Sequence, residues 1–124
     1  MPILNIQIMQ GHSAAQKTDL LKNSSQAVID SIAAPLPSVR VVLEEVSPDH
    51  VIVAGELAKP MALVLARLIE GRTPEKKAAL IAALSQAVHK SIDISEQDIR
   101  VIITDIPKTD MGVANGITAL AAGR

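Results

Sequence analysis

The chain has 124 residues with 12 Lys and Arg against 13 Asp and Glu, so its net charge is −1. That near-balance gives no electrostatic case for binding nucleic acid or an anionic membrane. No Cys is present for disulfides or thiolate metal sites, and Phe, Tyr and Trp are all absent, so no aromatic platform exists for stacking bases.

The length fits one compact domain, whose core must be built from Ile, Leu, Val, Ala and Met. The three histidines, His12, His50 and His89, lack a metal-ligand spacing, and no metal or cofactor is expected. No apolar run is long enough for a membrane span, and no targeting segment is evident. The expectation is a soluble cytoplasmic protein.

The elements come in chain order, twice. LNIQIM (4–9) is rich in branched residues and stops at Gly11, as a strand running into a turn does. Ser13-Ala-Ala-Gln16 has the form of a capping box, which predicts a helix start. Apolar residues then fall at Leu20, Leu21, Ala27, Val28 and Ile32, one stripe along that helix. Pro35 and Pro37 interrupt the pattern, and Val39 to Val46 supplies a second strand. The stretch from His50 to Leu57 contains Gly and Ala and is expected to form a short hairpin or covering loop.

Residues 62–120 repeat residues 2–60 at a constant offset of 60, with thirteen identities and no gap. SQAV recurs at 25–28 and 85–88, and Arg-Val at 40–41 and 100–101. LVLARLI (63–69), Gly71, Thr73-Pro74-Glu75, the stripe Leu80, Ile81, Leu84, Val88 and Ile92, and Ile99 to Ile106 restate the same plan. Asp110 to Ile117 is the second covering segment. A helix joining two strands of one sheet makes them parallel with a right-handed crossover. The predicted fold is therefore α/β (α+β): two β-α-β units, residues 1–60 and 61–124, in one domain. They form a four-stranded sheet with two helices on one face. One such unit has too little core to stand alone, and the uncovered sheet face calls for oligomerisation.

Pro2 directly after Met1, the sixty-residue β-α-β unit, Gly11 closing the first strand and APLPSVRV at 34–41 together resemble the 4-oxalocrotonate tautomerase family. The doubled length resembles its fused members. The resemblance implies a homotrimer, an amino-terminal proline acting as base, and arginines that bind a small-molecule 2-oxo acid. By position the base falls on Pro2 once Met1 is removed. The first arginine position is His12 in the first copy and Arg72 in the second. The second arginine position is Arg40 and Arg100, and the usual aromatic position is Val51 and Met111. The expected site residues are thus Pro2 as catalytic base, with Arg72, Arg40, Arg100, His12 and Met111 binding substrate.

Only the first copy can own a free amine, because Ala62 lies in mid-chain and its nitrogen is an amide. Each active site should then combine Pro2 of one copy with Arg72 of the other, giving half as many sites as repeats. Two other readings stand beside this one. Dehalogenation or hydration of a haloacrylate needs a carboxylate to activate water, and that family position falls on Val53 or Val113. A non-catalytic oligomeric scaffold is the other, favoured by the missing aromatic and by His12 in place of an arginine.

Overall fold

A computed structural model describes residues 1–124. Strand β1 (Ile3–Met9) leads to helix α1 (Ala14–Ile32), strand β2 (Arg40–Val46) and a small hairpin of β3 (Ile52–Val53) and β4 (Glu56–Leu57). Strand β5 (Ala62–Ile69), helix α2 (Pro74–Ile92) and strand β6 (Ile99–Ile106) repeat the unit. The second covering segment folds differently from the first: a Gly112–Thr118 bridge surrounds a short 3-10 turn at Ala114–Gly116.

The helices begin where their caps dictate. Ser13 and Gln16 form the full reciprocal capping box, and Thr73 accepts from the Lys76 amide with Pro74 at the first helical position. Both helices end on a left-handed residue, Ala33 and Asp93.

The sheet order is β2-β1-β5-β6. β1–β2 and β5–β6 are parallel and share one register, with Ile3 beside Arg40 and Leu63 beside Arg100. The central β1–β5 pair is antiparallel, and Asn5 faces Leu65, its own counterpart in the other copy. A pseudo-two-fold axis therefore passes through the middle of the sheet. Packing repeats as well: Lys17 bridges Glu45 at 2.7 Å, and Lys77 bridges Asp105 at the equivalent place.

Alternation along the strands puts Leu4, Ile6, Ile8, Val64 and Leu68 under the helices, where they meet Leu20, Val28, Leu80, Leu84 and Val88. The helix stripe differs from expectation at two kinds of position. Leu21 is only half-buried and Ile81 is 40% exposed, whereas Ser24 is fully buried on the core-facing side. Residue 24 lies one turn beyond Leu20 and residue 21 is rotated about 100° from it, so backbone geometry outranks side-chain polarity here. No helix is long and apolar enough to cross a membrane.

Candidate active site

The short step from β5 into α2 places Arg72. Gly71 takes a φ of +121°, a conformation that disfavours any side chain, and this turns the chain out of the strand. Arg72 follows and donates from Nη1 to the Ile69 carbonyl at 3.2 Å, which folds its side chain back over the end of β5. Because β1 runs antiparallel to β5, that end of β5 lies beside the beginning of β1. The start of the chain and Arg72, far apart in sequence, thus line one pocket of about 410 Å3.

Met1 and Arg72 share this pocket with Ser38, Glu70, Lys108 and Arg124. The Met1 side chain packs on a small apolar cluster of Ile69, Met111 and Ala119. The Met1 α-amino group is lowered from its ordinary 8.0 to about 6, first by burial and then by the Arg72 and Arg124 guanidinium groups. Both causes act alike, since each disfavours the protonated amine. Pro2 lies immediately beneath, with its ring fully buried and its carbonyl accepting from the Arg40 amide at 3.0 Å.

Of the residues expected from sequence, Arg72 lines the pocket together with Met1, and Pro2 follows Met1 in the chain without lining the pocket itself. Met111 is 7% exposed and joins the apolar cluster on which Met1 packs, but it does not itself line the pocket. Arg40 is exposed at the start of β2 and touches the site through its backbone alone within this chain. Arg100 and His12 gather at the opposite end of the sheet. His12 lines a pocket with Gly11 and Met61, and Arg100 lines an adjoining one with Met61 and Asp98. Arg100 donates to the Gln97 carbonyl at 2.7 Å and to the Ile99 carbonyl at 3.1 Å.

The pocket around His12 is the pseudo-two-fold mate of the pocket around Arg72. Met61, Met9, Gln10, Gly11 and His12 stand where Met1, Ile69, Glu70, Gly71 and Arg72 stand. Sequence reasoning missed Lys108 and Arg124. A signal for Lys108 was available, because its first-copy counterpart is Pro48 and the second copy gains a cation there, as it does at Arg72. Arg124 lies past the aligned part of the repeat and carries no such signal.

Two β-α-β units joined through an antiparallel centre thus set a cation-lined pocket around the start of the chain. A model of the tautomerase enzyme family matches residues 2–60 and again 63–119. The chain therefore belongs to the tautomerase family, as a fused member carrying the unit twice, and is an isomerase by class.

A stretch of about half the chain resembles short relatives. A 2-hydroxymuconate tautomerase of Pseudomonas putida is 45% identical over 58 residues, which span 47% of this chain and 92% of that protein. Solved structures resemble the whole. The Q0 fused 4-OT, a wild-type symmetric trimer, is 60% identical with a TM-score of 0.96, covering 98% of this chain and 99% of that one. Pt0534 inactivated by 2-oxo-3-pentynoate is 45% identical with a TM-score of 0.97 over the same shares.

Proposed function

We propose that the chain, once Met1 is removed, interconverts enol and keto forms of a small unsaturated 2-oxo acid with the Pro2 nitrogen as general base. The observation that carries this reading is the shared pocket. The Met1 α-amine at this end of the sheet is lowered to about 6 by burial and by Arg72 and Arg124, and the same causes act in the same direction on an amine one residue inward. Removing Met1 moves the free amine one residue inward, onto a secondary nitrogen whose ring is already fully buried. Pro2 then takes a proton from the enol and returns it to a carbon further along the conjugated system. Arg72 holds the carboxylate and offsets the charge that grows on oxygen.

The second repeat has no amine at Ala62, so one working site per chain follows. The chain assembles as a homotrimer, in which Arg40 or Arg100 of a neighbouring subunit completes the cationic wall. The outer sheet face supports assembly, since the counterparts Val42 and Ile102 are 51% and 52% exposed there. The fused 4-OT relative that is 60% identical is itself a trimer. A carboxylate that activates water is not favoured: Glu70, the one acid lining the pocket, accepts from the Lys108 amide at 3.3 Å.

The test is stoichiometric. Pt0534 is inactivated by 2-oxo-3-pentynoate, and the same acetylenic acid offered to the Met1-free chain should label Pro2 alone, one adduct per chain. An Arg72→Ala variant should label more slowly. Labelling elsewhere, or in both repeats, would contradict the assignment.

A further inference from the structure

The outer face of the sheet, away from the helices, is where the two repeats differ in charge. Arg40 and Arg100 stand there at equivalent places, as do Val42 and Ile102, so these do not tell one repeat from the other. Glu44 of β2 has Thr104 as its counterpart, and Arg67 of β5 has Gln7. Hydrogen bonds align both charges along the face. The Asn5 and Gln7 side-chain amides each donate to one Glu44 carboxylate oxygen at 3.1 Å, and Arg67 donates from Nη1 to Asn5 Oδ1 at 3.1 Å. The equivalent lane of the second repeat is Leu65, Arg67 and Thr104, with no carboxylate.

The proposed trimer covers this face, and the pseudo-two-fold axis gives assembly a choice. Turning a subunit over about that axis keeps the backbone outline and exchanges the two repeats. In a ring with a single sense, each interface joins the first repeat of one subunit to the second repeat of the next. With one subunit turned over, one interface joins two first repeats and another joins two second repeats. Backbone shape permits both, and without a preference roughly three rings in four would hold a turned subunit. Fused 4-OT relatives include a symmetric trimer and, at 40% identity, an asymmetric one.

Charge separates the two arrangements. Joining first repeats brings two Glu44 carboxylates to one interface, and joining second repeats brings two Arg67 guanidinium groups to another; like charges at an interface are unfavourable. Joining unlike repeats sets a carboxylate half against a guanidinium half. We propose that Glu44 and Arg67 fix the sense of assembly, so that three chains close head to tail and present three identical pockets. The proposal rests on the trimer and goes beyond it, since the sense of each subunit is independent of their number.

Methionine methyl NMR reads the sense directly. The Met1-free chain keeps Met9, Met61 and Met111, so a three-fold symmetric trimer gives three methyl signals and a ring with one turned subunit gives up to nine. The wild type, at trimer mass by light scattering, should give three. Glu44→Thr/Arg67→Gln, which gives each position its counterpart's residue, should stay trimeric and show the additional signals. Glu44→Arg/Arg67→Glu reverses both charges, keeps like interfaces unfavourable and should return to three, which separates charge from shape. Additional signals in the wild-type trimer would overturn the single sense. A neutral variant that keeps three signals, or falls apart, would overturn the role of the charges. A wild-type mass below the trimer would overturn the trimer itself, and this proposal with it.

Discussion

The Met1 amine and the Arg72 guanidinium line one pocket from opposite repeats, and the arginine helps hold the amine largely unprotonated at neutral pH. In the Met1-bearing chain, Arg72→Ala should raise the titration of that amine from about 6 toward 8.0. It should stop short of 8.0, because burial is the larger cause and remains. NMR titration of the labelled α-nitrogen reads the value; no change would remove Arg72 from the electrostatics of the site.

The same shift fixes a sign for stability. Between about 6 and 8.0 the unfolded Met1-bearing chain holds a proton that the folded one has released. The amine's contribution to stability therefore rises with pH through that window and is at its most unfavourable below it. Chemical denaturation should show the Met1-bearing chain losing stability relative to an N-acetylated one as pH falls from 8 to 6. A difference that is flat with pH would contradict the depressed amine.

Gly71 sets the direction in which Arg72 leaves the strand. Space is not the constraint, since a Cβ there would meet nothing within 4 Å; the φ of +121° is. Gly71→Ala should cost about 1 kcal/mol or more of stability and lower kcat/KM together. Gly11→Ala strains the mate turn, whose φ is +123°, and should cost similar stability with activity unchanged. Equal losses of activity in both variants would mean the turn at Gly71 has no special bearing on the site.

Ser24 is fully buried and its hydroxyl has no hydrogen-bond partner, whereas its counterpart in the second copy is Leu84. Ser24→Ala should therefore stabilise the protein by about 1 kcal/mol, by removing an unpaired buried polar group and improving helix propensity. Thermal denaturation reads the change, and a lower midpoint would show that the hydroxyl finds a partner in solution.

Ser24 also shows where the sequence misled. Periodicity marked the helix stripe, but a serine among Leu, Val and Ile reads as solvent-facing, and only the angle from Leu20 places it inside. Strands, caps and turns were legible because Gly11, Gly71, Ser13 and Thr73 each act on the backbone locally. The nearness of the chain's start to Arg72 was legible only through the repeat and the family resemblance together, since a constant offset makes Arg72 the counterpart of His12 but says nothing by itself of the antiparallel β1–β5 pairing. Arg124 was not legible, because its place in the pocket depends on how the last turn packs on Ile69 and Met111, a tertiary contact with no periodic trace.

The central claim is that a free Pro2 nitrogen is the base. The most direct measurement is turnover of 2-hydroxymuconate by two synthetic Met1-free chains, one with the Pro2 nitrogen free and one with it acetylated. Acetylation converts the amine to an amide at the same atom and leaves Arg72, Lys108 and Arg124 in place. The free chain should turn over substrate, and the acetylated chain should lose about a hundredfold or more in kcat, the scale of general-base catalysis. Equal turnover by the two chains would contradict it.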